Sequence, residues 1–388
     1  MTHESGTGGA PKYGVVSQMP VIGNVSNPLD DLSVSRSAAD QAEVGEYIIS
    51  LSTGVTVQLA ATSRVAMYSY AFPATTQANV VVDVSHVLLA QKREIWSQHY
   101  VNGNITVGSD GYQGSGTYNN GWKLAPDWTI YFCGRFDTPV MDYLTFSGND
   151  TDIFEYGENP TASGNARVGA VFSFSEPNVT SRVGISFISS AKACQYVDDE
   201  IPAETPFQTL VSTTKDNWNT EVFSKIQTPS TDTNYLQLLY TSLYGMHLIP
   251  SNKTGENPLW SSSEPCYDDI FTYWDLFRCS TSLMQILQPV SYEEQMRSII
   301  DIWRHEGYLP DARSSNFNGR SQGGSNGDNV LADAYIKGVR GEVNWDDGYS
   351  AMVKDAEVTS PNNSDPSAPD SSTKEGRGAL PDCWNMVI

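Results

Sequence analysis

Trp274, Asp275 and Arg278 form a Trp-Asp-x-x-Arg pattern inside residues 273–278. On a helix, Asp275 and Arg278 stand one turn apart, within reach of an i,i+3 ion pair. Spacing alone describes a pair on a solvated face. Tyr273, Trp274 and Phe277 surround the two charges, however, so the helix is apolar nearly all round. A carboxylate and a guanidinium in such a setting need partners, and a ligand rich in hydroxyls supplies them. The chemistry indicated is the grip of a polar ring.

Three further stretches could take part. Residues 323–328 read Gly-Gly-Ser-Asn-Gly-Asp and run into the apolar helix of residues 329–339. The plain reading is an N-cap loop with Asp328 as the capping residue. The functional one is a glycine-permitted approach of backbone to ligand, with Asn326 and Asp328 beside it. Asn119, Asn120 and Gly121 give a hairpin-turn signal between two strands. Trp122 then stands at a loop tip, where an indole could stack on a sugar face. Residues 3–9 (His-Glu-Ser-Gly-Thr-Gly-Gly) are too polar for a core strand and read as a loop at a ligand site, through His3 and Glu4. The histidines do not cluster, and no nucleophile elbow, P-loop or dinucleotide fingerprint occurs.

The elements that must position these residues change character along the chain. Residues 43–200 hold short alternating or apolar runs at 45–51, 54–59, 66–72, 79–84, 104–108, 129–132, 170–174 and 183–188. Gly, Pro or Asn bounds most of them, with no helical pattern between, which predicts a large antiparallel sandwich. Beyond Cys194 the period lengthens to that of helices. Residues 210–226 read as a helix bridging two domains. Asp232 caps a helix carrying Leu236, Leu239, Tyr240, Leu243 and Met246. Residues 268–287 form a second helix. Ser291 and Glu294 read as a capping box for a third, with Met296, Ile299, Ile300 and Trp303 on one face. The domain reading is a β-sandwich at 1–205, a helical linker at 206–230 and part of a helical barrel at 231–388.

Composition bounds the function. The 388 residues are 39% hydrophobic and 11% aromatic, long enough for a sizeable folded core. A net charge of −22 repels phosphate backbones and argues against nucleic-acid binding. No apolar run approaches the ~18 residues of a membrane span. The five cysteines are scattered without a Cys-x-x-Cys, which argues against zinc and leaves at least one thiol unpaired within the chain. Sequons at Asn24, Asn104, Asn149, Asn178, Asn252 and Asn362 point to a secretory route, whereas the polar first residues show no signal peptide.

Residues 3–9, Gly121 with Trp122, Trp274-Asp275-x-Phe277-Arg278, residues 323–338 and residues 375–382 together resemble family 92 of the glycoside hydrolases, in a fungal-type version. The resemblance implies a β-sandwich followed by an (α/α)6 barrel, and calcium-dependent exo-α-mannosidases that cleave mostly α-1,2-linked mannose with inversion. It implies a mannose-binding role for Asp275, and Arg278, Trp122, His3, Glu4, Asn326 and Asp328 stand beside it as candidate substrate-binding residues. In the family a glutamic acid protonates the leaving oxygen, an aspartate activates water, and calcium holds sugar hydroxyls. The acid, the base and most calcium ligands belong to later barrel helices, beyond residue 388. The expectation is therefore a chain truncated at both ends, catalytically inactive as it stands, that does not fully bind calcium. Its partners are mannose-containing glycans of N-glycans or mannoproteins, met extracellularly or in the secretory pathway. The alternative is a non-catalytic mannose-binding module.

Overall fold

The structure is a computed structural model that describes residues 11–74, 77–90, 94–319 and 325–358. His3, Glu4 and residues 375–382 lie outside the described residues. The chain divides into two compact units, residues 1–122 with 126–221, and residues 123–125 with 222–388. The change of unit falls inside the 206–230 stretch read as a linker.

Among the described residues the first unit holds fourteen strands. In chain order they are β1 (Ser17–Ile22), β2 (Gln41–Glu43), β3 (Glu46–Ser50), β4 (Thr56–Ala61), β5 (Val65–Ala71), β6 (Ala78–Asp83), β7 (Gln98–Gly108), β8 (Gly111–Asn120), β9 (Ala125–Phe136), β10 (Asp142–Gly148), β11 (Ile153–Gly157), β12 (Thr161–Gly164), β13 (Arg167–Phe174) and β14 (Asn178–Ser186). One sheet has the order β1-β6-β13-β10-β11, and the other β12-β7-β8-β9-β14-β5-β4-β3-β2. The sandwich expected from the short, turn-bounded runs is thus present. β7 shows why the pattern is readable. Ile105 and Val107 point inward while Asn104, Thr106 and Gly108 face water. β6 instead is buried from Ala78 to Val82, because it lies between β1 and β13. Rings of the two sheets meet across the core: Phe136 on β9 lies 4.8 Å from Phe172 on β13, and Tyr112 on β8 lies 5.5 Å from Phe172. Gln18 of β1 closes a buried polar bridge, donating to Tyr112 and Ser181 and accepting from the Tyr70 hydroxyl.

Two helices finish this unit. α1 (Ser190–Glu200) is capped by Ser189, whose hydroxyl accepts from the Lys192 N–H. Sequence reasoning missed it, since it follows β14 with only a short turn. α2 (Phe207–Glu221) buries Leu210 and Val211 against Ala60, Val65 and Met67. The stretch read as a bridging helix therefore belongs to this unit's core. A disulfide joins Cys133 of β9 to Cys194 of α1 and closes a loop of 61 residues. Such bonds persist in oxidising compartments.

In the second unit α3 (Thr233–Met246) starts at the Asp232 cap expected from sequence, whose carboxylate accepts from the Asn234 and Tyr235 N–H groups. Next come the short pair β15 (Ser251–Asn252) and β16 (Tyr267–Asp268), then α4 (Tyr273–Leu287) and α5 (Pro289–Glu306). The hairpin β17 (Ala312–Ser314) and β18 (Phe317–Gly319), α6 (Gly327–Ile336) and α7 (Trp345–Glu357) complete it. Tyr273, Met284, Tyr292, Met296, Ile299, Ile300, Leu331 and Ala351 form one core shared by α4 to α7.

Three local expectations are corrected. α4 begins at Tyr273, five residues later than read, because Asp269 and Phe271 take left-handed backbone angles (φ 56° and 57°). Ser291 does not cap α5, which starts at Pro289. Glu294 accepts the Tyr267 hydroxyl instead. Ser315 and Asn316 (φ 51° and 60°) make the two-residue turn of β17–β18, the geometry that twisted hairpins favour.

The sequons can now be placed. Asn24, Asn104, Asn178 and Asn252 are exposed, whereas the half-buried Asn149 engages its side-chain oxygen with Thr151 and Asp152. Asn104 lies in the middle of the sheet, with β7 paired there to β8 on one side and β12 on the other and its amide bonded to Ser115. We expect glycan at Asn24, Asn178 and Asn252 in secreted material. Mass spectrometry finding all three bare would remove this support for a secretory route.

Candidate functional site

The densest grouping of the sequence-predicted residues lies at the start of α4. Thr272 caps the helix, its hydroxyl oxygen accepting from the Trp274 N–H at 3.2 Å. Asp275 sits in the first turn, where the positive end of the helix dipole favours an anion. Both Asp275 and Arg278 are exposed, and Trp274 is 45% exposed. The i,i+3 ion pair allowed by spacing does not form. Arg278 folds back instead: its Nε donates to the Trp274 carbonyl at 3.1 Å and its guanidinium stacks 4.8 Å from the indole centroid. Arg278 thus steadies Trp274 and leaves the Asp275 carboxylate without a hydrogen-bond partner among the described residues. A half-exposed indole beside a free carboxylate can take the C–H face of a ring and a pair of its hydroxyls.

The start of α6 is tied to the same place. Asn326, not Asp328, is the N-cap residue, and its side chain makes no capping bond. The Asn326 amide donates to Asp311 Oδ1 at 2.6 Å. Asp311 is 3% exposed, and its other bonds reach α4: the Thr272 hydroxyl donates to Oδ2 at 2.8 Å and the Trp274 N–H to Oδ1 at 3.1 Å. The backbone pairs as well, with the Tyr273 N–H on the Asp311 carbonyl at 2.9 Å. Asp328 occupies the first turn of α6, half-buried, where its carboxylate accepts from the Asn329 N–H.

Beneath the start of α4 lies a buried ionic network. Lys253 Nζ is 2.7 Å from Asp268 Oδ2 and 3.0 Å from Asp269 Oδ2, with all three side chains nearly closed to water. Asp268 Oδ2 also accepts from the Asn316 N–H, and Asp269 Oδ1 from the Ser314 hydroxyl. Arg313, 3.4 Å from Asp268, bonds Glu306 and Asn318, and its carbonyl accepts from the Phe271 N–H. Non-glycine residues at positive φ carry strain that surroundings must hold in place. Here the network and the β17–β18 hairpin hold Asp269 and Phe271. Burial pushes the nearby Cys266 thiol up to about 11, so it stays protonated and unreactive. Cys279, the other free thiol among the described residues, is exposed on α4.

In the first unit Trp122 is buried, 7% exposed, rather than standing at an open loop tip. Its indole meets Trp96 edge-on at 6.1 Å. The Trp122 backbone N–H donates to the Pro11 carbonyl at 2.8 Å, and the Trp122 carbonyl accepts from Lys12 Nζ at 3.4 Å. Gly121 supplies the left-handed angle (φ 68°) of this corner, where a Cβ would strike the Pro11 carbonyl. Trp122 therefore lies against the described continuation of residues 3–9. Asp311, Lys253, Asp268, Asp269 and Arg313 were missed by sequence reasoning. The only local signal was the Asp268-Asp269 doublet, read as the start of a helix.

A family model described as the glycosyl hydrolase family 92 N-terminal domain matches residues 1–186, and one for the family's catalytic domain matches residues 192–386. An uncharacterized secreted glycosidase of Arthroderma benhamiae is 26% identical over 99% of this chain and 47% of its own length. Among solved structures, a family GH92 inverting mannosidase from Bacteroides thetaiotaomicron is 23% identical, with a TM-score of 0.75 over 91% of this chain and 46% of its own. An α-mannosidase of the same organism, solved with mannoimidazole, gives 20% and 0.77 over 93% and 49%. The chain thus spans about half the length of the relatives it matches. The sandwich, the helical unit after it and the two family models agree, and the chain belongs to glycosyl hydrolase family 92.

Proposed function

We propose that this chain carries the mannose-recognising part of a family 92 α-mannosidase. The whole protein then removes terminal α-1,2-linked mannose from N-glycans or mannoproteins, with inversion at the anomeric carbon. The observation that carries this reading is the start of α4, where a free Asp275 carboxylate stands beside a half-exposed Trp274 steadied by Arg278. A carboxylate accepting from two neighbouring hydroxyls holds a sugar in one orientation, and an indole covers its C–H face. Asn326 and Asp328, at the start of α6 in the same unit, are assigned to the same sugar in support.

Inversion needs one carboxylic acid and one carboxylate about 6.5–9.5 Å apart, on opposite sides of the sugar. We assign neither role to a described residue. Among the described residues no three carboxylate, imidazole or thiolate side chains are grouped so as to hold a metal ion. No step is therefore routed through a metal here. The Cys133–Cys194 disulfide, the exposed sequons and the secreted relative support an extracellular or secretory setting. No helix among the described residues is long and apolar enough to cross a membrane.

The test is to incubate the 388-residue chain with α-1,2-mannobiose, with and without calcium, and to measure binding and mannose release separately. Binding without enzymatic release is expected, since a general acid and a general base each contribute roughly 10²–10⁴ in rate. Calcium-stimulated release would show that both carboxylates lie within this chain and overturn the assignment. Absence of any mannoside binding would overturn the recognition role itself.

A further inference from the structure

We propose that Asp311 is a positioning residue for sugar recognition, locking the start of α4 to the start of α6. This rests on the reading of Asp275 as a mannose ligand. α4 already has its own cap in Thr272, so helix termination does not require a second acceptor. Asp311 nevertheless accepts from both the Thr272 hydroxyl and the Trp274 N–H, flanking the turn that presents Trp274 and Asp275. At the other end, Asn326 makes no capping bond for α6 and gives its amide to Asp311. The Asn326 side chain is thus spent on tertiary contacts rather than on a cap, its Nδ2 on Asp311 and its Oδ1 on Asn329. Asn329 completes the chain, donating to Asn326 Oδ1 at 3.2 Å. With Asp311 in place, α6 cannot shift against α4 without breaking a bond buried from water. Asp311 does not touch the sugar in this scheme; it sets the register of Asp275 against Asn326 and Asp328.

The experiment is calorimetric titration of the 388-residue chain with α-1,2-mannobiose at low temperature, reading affinity and binding stoichiometry separately. The variants are Asp311→Asn, Thr272→Val and Asp275→Asn. Asp311→Asn turns one acceptor oxygen into a donor facing other donors. It is expected to weaken affinity about tenfold, the worth of roughly one hydrogen bond to a charged group, with stoichiometry unchanged. Thr272→Val removes one arm of the lock and should weaken affinity in the same direction by a few-fold; it decides the matter if Asp311→Asn does not fold. Unaltered affinity with reduced stoichiometry would mean a purely structural Asp311 and sink the proposal, while loss of binding in Asp275→Asn would keep the recognition reading intact. Unaltered binding in Asp275→Asn would instead overturn that reading, and this inference with it.

Discussion

Lys253→Met is expected to remove about 3–5 kcal/mol of stability from the helical unit, the range seen when a buried ion pair loses one partner. Lys253 Nζ lies within 3.0 Å of both Asp268 and Asp269, whose side chains are closed to water. Methionine matches the length of the lysine stem but leaves two adjacent carboxylates unneutralised. Arg313 offsets part of this, at 3.4 Å from Asp268, yet it is engaged with Glu306 and Asn318 as well. The loss should extend beyond the ion pair. Asp269 and Phe271 hold strained backbone angles, and release of Asp269 lets that strain relax by unravelling the lead into α4. Urea unfolding followed by helical circular dichroism would measure it. A change under about 1 kcal/mol would mean that Arg313 alone carries the network.

Asp275→Asn is expected to weaken mannoside binding by roughly one to two decades while leaving the melting temperature nearly unchanged. The range follows from about 1.5–3 kcal/mol for hydrogen bonds to a charged group. The flat stability follows from geometry: Asp275 is exposed, Arg278 is turned away onto Trp274, and Thr272 and Asp311 already satisfy the helix start. Asparagine keeps the shape, so only the ligand should feel the change. Thermal unfolding and titration with methyl α-mannoside on one preparation separate the outcomes. A lowered melting temperature with intact affinity would reassign Asp275 to the scaffold.

Much of the fold was legible because burial is local to each element. The alternation in β7, the apolar run of β6 and the Asp232 cap were all readable within a few residues. The candidate site was half legible. Trp274 and Asp275 were visible because an acid among aromatics is unusual within a single turn. The partners that fix them were not: Asp311 lies 37 residues from Trp274, and Lys253 lies 15 from Asp268. Such pairs exist only once the chain has folded, and Pro310-Asp311 looks like any loop. The Asp275–Arg278 pair failed for a related reason. Spacing allowed it, but a stack on Trp274 together with a carbonyl bond holds the guanidinium more tightly than an exposed carboxylate in water would.

The strand orders carry a consequence for how the first unit comes into being. In the nine-stranded sheet, β14 alone joins the block β12-β7-β8-β9 to the block β5-β4-β3-β2. In the five-stranded sheet, β13 alone joins β1-β6 to β10-β11. Among the described strands of this unit these two are made last, so both sheets are stitched shut by their final pieces. Until Phe174 has left the ribosome for the five-stranded sheet, and Ser186 for the nine-stranded one, each exists only as halves with open edges that other chains can pair with. β14 must then reach back to β5, pairing Gly184 with Val65 across more than a hundred residues, which marks a slow, entropy-limited closure. Cys194 follows β14 in the chain, so its bond to Cys133 of β9 forms only once every described strand of the sandwich has been made.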